Sequence, residues 1–256
     1  MSINGHSISG SAEKIKEQFK IRAQKFDLSA NWIKDKQLID AHTELSGNPS
    51  GLALDLCCGT GRVGKALKQK GWDVKGLDIC RNMASISVDY FPVVEGEAEK
   101  LPFQSGSFNL VTCRQTMQFL RTKEVLSEIS RILAPQGVFI ISLTVPFSDL
   151  DEDWLRKIHF VKQPLLLKFY NAENLKQELK TAGFLIQETR RLTVRESINR
   201  WMDYAPELDV QIRRKVISMV GNAPVEYKRL RDVNDVDGEI FEDWNWIILK
   251  TVFRKI

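Results

Sequence analysis

The sequence predicts an α/β protein built on a parallel, doubly wound sheet of seven strands. From residue 51 onward, short apolar runs alternate with stretches whose apolar residues recur at helical spacing, a pattern typical of right-handed βαβ units. The runs are almost continuously apolar, as expected of strands that helices cover on both faces. The length of 256 residues suits one large domain or one domain with an insertion.

Helices are predicted before, between and after these strands. Across residues 11–45 the apolar residues, among them Ile15, Phe19 and Phe26, are spaced at threes, fours and sevens, and a Gly-Asn-Pro-Ser-Gly run ends the pattern. The predicted strands are 52–57, 73–77, 91–94, 108–113, 138–143, 184–189 and 244–253, and the predicted helices between them are 63–70, 123–133, 171–182 and 196 to about 231.

These elements divide the chain into four parts. Residues 1–50 form an N-terminal helical lid, and residues 51–195 form the core that contains most of the sheet. Residues 196–240 form a helical cap that is inserted between the last two strands, and residues 241–256 supply the strand that completes the sheet.

The composition excludes several classes of protein. Hydrophobic residues make up 43% and charged residues 27% of the chain, which is too apolar for a disordered protein. No run of about 18 apolar residues is present, so no membrane span is expected, and residues 1–10 do not resemble a secretory signal. The four cysteines form no CxxC pair, so neither a metal site nor a disulfide framework is expected, and we expect a cytoplasmic protein. They are Cys57, Cys58, Cys80 and Cys113.

The net charge of +4 is mild, but the basic residues are concentrated in one segment. Residues 190–231 contain ten Lys or Arg against five Asp or Glu. This segment is either a solvated helical face or a basic lid that attracts an anionic substrate.

The first strand leads directly into a glycine-rich turn, where Gly59, Gly61 and Gly64 spell GxGxxG. Such a turn lets the backbone approach a ligand, but the spacing by itself does not decide between ligands. Asp55 lies inside the strand before the turn, where its carboxylate would repel a pyrophosphate and attract an ammonium or sulfonium. Asp78 ends the second strand, where a carboxylate can accept hydrogen bonds from both hydroxyls of an adenosine ribose. S-adenosylmethionine has all of these groups.

Five segments in the same order resemble the class I S-adenosylmethionine-dependent methyltransferases, in the branch related to ubiquinone and menaquinone biosynthesis (methyltransferase type 11). The resemblance covers about residues 11–143 and implies a Rossmann-like sheet of seven strands, the class I methyltransferase fold. The segments are Leu-Asp-Leu-Cys-Cys-Gly-Thr-Gly at 54–61, Gly-Leu-Asp-Ile at 76–79, Gly-Glu-Ala-Glu-Lys-Leu-Pro-Phe at 96–103, Ser-Phe-Asn-Leu-Val at 107–111 and Glu-Ile-Ser-Arg-Ile-Leu-Ala-Pro-Gln-Gly at 128–137.

The resemblance also implies which residues bind the methyl donor. Three positions depart from the family pattern: Cys57 and Gln136 replace glycines, and Asn109 replaces an aspartate. Cys57 is small enough to keep the turn open, and the other two lie away from the expected ligand. The implied donor contacts are Asp55, Cys57, Gly59, Gly61, Asp78, Ile79, Met83, Glu97, Ala98, Cys113, Arg114 and Gln118.

The acceptor site is expected beyond the carboxyl ends of the strands, beneath the lid and the cap. Because the sulfonium is already reactive, in-line positioning supplies much of the acceleration and no strong base is required. His159 is the candidate general base. The candidate acceptor contacts are Phe19, Arg22, Phe26 and Trp32 from the lid, and Arg200, Trp201 and Tyr204 from the cap, a cationic and aromatic set suited to an acidic or aromatic small molecule.

Two other functions remain open. A methyltransferase acting on transfer RNA or protein is one, although the Asn/Asp-Pro-Pro-aromatic and Pro-Cys signatures of enzymes that methylate nucleobases are absent. A nucleotide-binding relative without catalytic activity, or a dinucleotide-dependent enzyme, is the other. We expect a small-molecule acceptor and no nucleic-acid partner, and the sequence leaves the oligomeric state and the methylated O, N or C atom open.

Overall fold

The computed structural model describes residues 8–203, 205 and 208–254. Its elements alternate as the apolar pattern predicts. The strands are β1 (Leu52–Leu56), β2 (Asp73–Asp78), β3 (Val93–Glu95), β4 (Phe108–Arg114), β5 (Leu133–Thr144), β6 (Phe184–Ser197), β7 (Asn234–Val236) and β8 (Glu239–Phe253). The α-helices are α1 (Ile8–Arg22), α2 (Lys36–Leu45), α3 (Arg62–Lys70), α4 (Arg81–Ser87), α5 (Thr122–Ile132), α6 (Asp149–Lys162), α7 (Ala172–Thr181), α8 (Ile198–Asp203), α9 (Val210–Gly221) and α10 (Val225–Leu230).

The strands form one sheet in the order β3-β2-β1-β4-β5-β8-β6, and β7 pairs with the outer end of β8. The first five strands are parallel, whereas β8 is antiparallel to both β5 and β6. The prediction of a doubly wound sheet is therefore confirmed, with one correction: the final strand is antiparallel. The chain leaves one strand position open between β5 and β6, and β8 occupies this position antiparallel to both neighbours.

Two apolar layers cover the two faces of the sheet. Because side chains alternate along a strand, Leu54 and Leu56 pack with α5 and α7, while Ala53 packs on the opposite face with α2 and α3. Asp55 shares the face of Ala53. The strand therefore aims this carboxylate at the beginning of α3, next to the glycine turn.

The predicted helical lid is not one continuous helix. Between α1 and α2 the chain forms two short 3₁₀ segments, Ala23–Leu28 and Asn31–Ile33, and the second buries Trp32 and Ile33. Asp35 then caps α2, its carboxylate accepting a 2.9 Å hydrogen bond from the Leu38 N–H. The break turns the aromatic residues of the lid toward the carboxyl ends of the strands.

The cap also differs from its prediction. Strand β6 continues through Ser197, so the predicted helix from residue 196 begins later and is divided among α8, α9 and α10. These helices pack against α6, an element that the apolar spacing does not predict and that a capping box between Ser148 and Asp151 begins. Within the described residues, no helix is long and apolar enough to cross a membrane.

Candidate active site

A cavity of about 360 Å³ lies at the carboxyl ends of β1, β2 and β4, beneath the lid. We call it the main cavity. In an open α/β sheet this edge is where ligands bind, because strand order reverses there and the loops diverge. Its polar lining residues include Asp55, Thr60, Asp78, Glu97, Glu99, Arg114, Gln115, Thr116 and Arg121, and its apolar ones include Ile15, Phe19, Phe26, Trp32, Ile79, Met83 and Phe119.

Asp55 is held against the first turn of α3. The Gly64 N–H donates a 2.8 Å hydrogen bond to Asp55 Oδ2, and a Cβ on Gly64 would lie only 2.8 Å from that oxygen. The third glycine of the turn is therefore required for this close approach. Burial raises the pKa of Asp55 to about 7, although the Gly64 N–H and the Arg114 guanidinium oppose this shift. A cation arriving in the cavity would stabilise the ionised carboxylate.

Asp78 anchors the turn through both of its oxygens. Oδ2 accepts from the Gly59 N–H and Oδ1 from the Cys80 N–H, each at 2.8 Å. Burial nevertheless raises the pKa of Asp78. Each carboxylate oxygen has a second lone pair, so the side chain can still accept two hydrogen bonds from a ligand.

The glycine turn itself adopts left-handed backbone. Gly61 has a φ of +74° and begins α3, while Cys57, at a position where the family has glycine, has a φ of +54°. A side chain in this conformation costs about 1–2 kcal/mol. Gln136, the other residue in place of a family glycine, also has a positive φ of +64°. Cys57 and Gln136 therefore keep the left-handed backbone conformation of the glycines that they replace, but their side chains make that conformation strained.

Four charged residues hold the lid against the glycine turn and the sheet. The Asp27 carboxylate accepts a 2.7 Å hydrogen bond from Thr60 Oγ1 and pairs with Arg62. Arg114, at the end of β4, donates to the carbonyl oxygens of residues 32 and 33 at 3.2 and 3.1 Å. Glu196 accepts from the backbone N–H groups of residues 31 and 32 at 2.8 and 2.6 Å. Burial raises the pKa of Glu196 to about 7.

A second cavity of about 90 Å³, the side cavity, adjoins the main cavity. The two share a wall of Phe19, Phe26, Trp32, Gln115 and Phe119. Ring centroids in this wall lie 5.8–6.2 Å apart in edge-to-face arrangement, a favourable geometry for aromatic pairs. Beyond the wall the side cavity is lined by Arg22, Gln118, His159, Lys162, Gln163, Leu166, Trp201 and Trp244.

The structure brings nine of the twelve predicted donor contacts to the main cavity, namely Asp55, Cys57, Gly59, Asp78, Ile79, Met83, Glu97, Ala98 and Arg114. Gly61, Cys113 and Gln118 do not line it. The position of a Cβ on Gly61 faces Ser87, Cys113 is fully buried in the sheet, and Gln118 faces the side cavity.

The predicted acceptor contacts separate into three groups. Phe19, Phe26 and Trp32 line both cavities, and Arg22 and Trp201 line the side cavity. Arg200 lines neither cavity, and its guanidinium donates to Asn31 Oδ1 at 2.8 Å. Tyr204 lies outside the described residues.

His159 borders the side cavity, with its ring against Phe169 and Trp201. Burial and the nearby charges of Arg231 and Lys162 lower the pKa of His159 to about 3. The imidazole is therefore neutral near pH 7 and a weak base. Within the described residues, no group of three or more His, Cys, Asp or Glu side chains is placed to hold a metal ion.

Several site residues carry no sequence signal of their role. Lys162, Gln163 and Trp244 reach the side cavity only through the packing of α6 and β8. Glu196 is one of five acids in the basic segment, and nothing in its neighbours marks it as the acceptor for the lid amides.

Residues 54–141 match the family model described as a methyltransferase domain. The match covers 88 of the 256 residues. A demethylmenaquinone methyltransferase from Lysinibacillus sphaericus is 30% identical over 147 residues, covering 50% of this chain and 61% of that protein. The chain spans about half to three-fifths of the length of the first curated relatives that it matches. The branch predicted from the sequence motifs is confirmed.

Solved structures support the same fold. A proposed methyltransferase from Bacillus halodurans C-125 superposes with a TM-score of 0.75 at 18% identity, covering 84% of this chain and 97% of that one. A geranyl diphosphate methyltransferase solved in complex with S-adenosylmethionine gives a TM-score of 0.60 at 14% identity, covering 85% of each chain. The predicted class I methyltransferase fold is confirmed by these likenesses.

Proposed function

We propose that this protein is an S-adenosylmethionine-dependent methyltransferase that transfers a methyl group to an O, N or C atom of a small molecule. The observation that carries the proposal is the set of carboxylates around the main cavity: Asp55 lies within β1 beside its last residue, Asp78 ends β2 and Glu97 lies just after β3. The family match supports methyl transfer, and the adjoining side cavity supplies room for a compact acceptor.

The residues present fit the donor group by group. Asp55 would face the ammonium and sulfonium, and Arg114 the carboxylate, of the methionine portion. Asp78 would accept hydrogen bonds from the two ribose hydroxyls with its remaining lone pairs. Glu97 and Ala98 line the same cavity, where they would hold the adenine.

The chemistry requires positioning more than proton transfer. The donor supplies a methyl carbon on a positively charged sulfur, which leaves as a neutral thioether when the acceptor's lone pair forms the new bond. The aromatic side chains shared by the two cavities would fix the direction of approach, and such orientation is worth up to about 7–11 kcal/mol. Because His159 is neutral and weakly basic, acceptor atoms that need no strong base suit this site best.

The GxGxxG spacing alone would also suit a dinucleotide. The buried Asp55 argues against one, because a pyrophosphate brought to the N-terminus of α3 would meet this carboxylate at the Gly64 N–H. The site therefore favours a cationic ligand over an anionic one at the turn.

Calorimetric titration with S-adenosylmethionine, S-adenosylhomocysteine and NADH tests the proposal. We expect micromolar binding of the first two and no binding of NADH. Binding of NADH alone would show that the glycine spacing, and not Asp55, identifies the ligand. If neither methionine derivative binds, the proposed function is wrong.

A further inference from the structure

Trp32 lines both the main cavity and the side cavity, so its position affects either ligand site. We infer that Glu196 is a positioning residue of the proposed methyl transfer, whose ionised carboxylate holds Trp32 in the wall between the two cavities. This inference rests on the proposed function and specifies which residue outside the main cavity controls the lid.

The Glu196 carboxylate contacts the lid where its second 3₁₀ segment, Asn31–Ile33, begins. Oε2 accepts a hydrogen bond from the Asn31 N–H at 2.8 Å, and Oε1 accepts one from the Trp32 N–H at 2.6 Å. The first N–H groups of a helical segment have no partner within it and favour a negative charge nearby. Glu196 therefore supplies the missing acceptors with both of its oxygens.

The side chain of Asn31 joins the same part of the lid to the same end of β6. Asn31 Nδ2 donates to the carbonyl oxygen of Arg195 at 2.6 Å, and the Arg200 guanidinium donates to Asn31 Oδ1 at 2.8 Å. Together with the two backbone hydrogen bonds to Glu196, these contacts hold residues 31 and 32 against residues 195–200. A movement of Trp32 away from the cavities would break them.

Arg114 holds the carbonyl side of the same lid residues. Its guanidinium donates to the carbonyl oxygens of Trp32 and Ile33 at 3.2 and 3.1 Å, and lies 5.1 Å from the centre of the Trp32 ring. In the proposed complex Arg114 also faces the carboxylate of the donor. Trp32 thus lies between a residue of the donor site and Glu196, so donor binding and the ionisation of Glu196 are coupled through the lid.

The contacts with the lid favour the ionised form of Glu196. Hydrogen bonds to an ionised carboxylate are roughly twice as strong as those to a neutral group, so a proton on Glu196 would weaken both. Glu196 is fully buried, and burial raises its pKa to about 7, although the two N–H groups and the charge of Arg200 oppose this shift. The carboxylate therefore gains a proton, and its hold on the lid weakens, as pH falls through about 7.

The other charges around Glu196 largely offset one another. Arg200 from α8 favours the ionised carboxylate, whereas Asp35 from the lid disfavours it. Glu242 lies opposite Glu196 on β8, and it pairs with the buried Arg231. Burial, rather than a single charged neighbour, therefore controls the titration of Glu196.

Hydrogen exchange of the full chain, followed at individual amides by NMR, tests the inference without a substitution. We expect the protection of the residue 31 and 32 amides, relative to the amides of β1, to fall as pH is lowered through about 7. Saturation with S-adenosylhomocysteine should move this transition to lower pH by about 0.7 unit or more, since linked sites are coupled by about fivefold or more. A transition that bound S-adenosylhomocysteine does not move would overturn the inference, as would constant protection between about pH 8 and pH 5.

Matched variants test the charge of Glu196. Glu196→Gln retains the size of the side chain but removes the charge and one acceptor. At pH 8 both amides should exchange faster, the transition should be absent, and S-adenosylhomocysteine should bind about fivefold more weakly by calorimetry. Glu188→Gln, which removes an exposed acid from the same strand, is the control and should behave as wild type. Unchanged exchange and affinity in Glu196→Gln would contradict the inference.

Asp55 also titrates near pH 7, but its carboxylate accepts from the Gly64 N–H and not from the lid amides. Asp55→Asn should therefore retain the transition at residues 31 and 32. If wild-type protein binds no S-adenosylhomocysteine, the proposed function fails and the positioning role falls with it. If S-adenosylhomocysteine binds but the transition is absent, only the assignment of Glu196 fails.

Discussion

The main cavity and the side cavity share one largely aromatic wall, yet they are built from different side chains and different parts of the chain. Carboxylates from the strand ends and the loops after them are prominent in the main cavity, whereas tryptophan and glutamine side chains form much of the lining of the side cavity. The residues of the main cavity come largely from short contiguous motifs. Those of the side cavity come from α1, α6, α8 and β8, which are distant in sequence. Ligand selection in the main cavity therefore depends on local sequence, whereas ligand selection in the side cavity depends on how distant elements pack.

The largest effect is expected from a substitution that removes negative charge from the main cavity. Asp55→Asn retains an acceptor for the Gly64 N–H but removes the charge that faces the donor. Removing one partner of a buried charge pair costs about 2–5 kcal/mol, so we expect S-adenosylmethionine binding to weaken about 100-fold or more by calorimetry. Asp73→Asn, an exposed acid at the start of β2, is the control and should bind normally.

The same variant has a second, opposite effect that a general loss of folding could not produce. The pKa of Asp55 is raised to about 7 in the folded protein, so the folded state holds this proton more tightly than the unfolded state. Stability of the unliganded wild type should therefore fall as pH rises from about 4 to about 7. At pH 8 the variant should melt at a higher temperature than wild type; a lower melting temperature would contradict this account of the burial.

The pH dependence of donor binding tests whether the donor's positive charge lies near Asp55. A positively charged donor favours ionised Asp55, so binding must release the proton that the carboxylate holds below pH 7. We expect affinity to fall as pH is lowered below about 7, by at most about tenfold per pH unit. Asp55→Asn should give a much flatter profile in the same titrations. An affinity that rises on acidification would mean that the donor's positive charge does not lie near Asp55.

The lid, which covers both cavities, contributes a smaller effect. Asp27→Asn weakens the contacts of the lid with Thr60 and Arg62, and hydrogen bonds to charged groups are worth about 1.5–3 kcal/mol. We expect roughly tenfold weaker S-adenosylhomocysteine binding, measured by calorimetry. Glu17→Gln, which removes an exposed ion pair with Lys20 on α1, is the control and should have no measurable effect.

The smallest effect concerns backbone strain. Gln136→Gly places glycine at an exposed position whose φ is +64°, and should raise the free energy of unfolding by about 1 kcal/mol without changing donor binding. Cys57→Gly relieves the same kind of strain at the main cavity. Denaturant unfolding of both variants compares the two sites; destabilisation of Gln136→Gly would show that its side chain makes a contact worth more than the strain.

Most of the sheet could be predicted because each parallel strand is a short apolar run bounded by turn residues. The lengths of β6 and β8 could not, because their outer halves are polar and are held as strands by pairing with each other, up to Ser197 opposite Phe241. The direction of β8 was equally inaccessible, since the sequence of a strand does not encode whether its neighbours run with it or against it.

By itself the sequence determined the main cavity: the glycine turn, Asp55, Asp78 and Glu97 each lie at or next to the carboxyl end of a strand, so local order fixes their common edge. Only the tertiary structure decided the side cavity. Arg200 lines neither cavity and contacts Asn31, whereas Lys162, at the end of a helix that the sequence does not predict, lines the side cavity. The physical reason is that strand ends are aligned by backbone hydrogen bonds, whereas the facing sides of α1, α6 and the cap are set by side-chain packing over long separations in the chain.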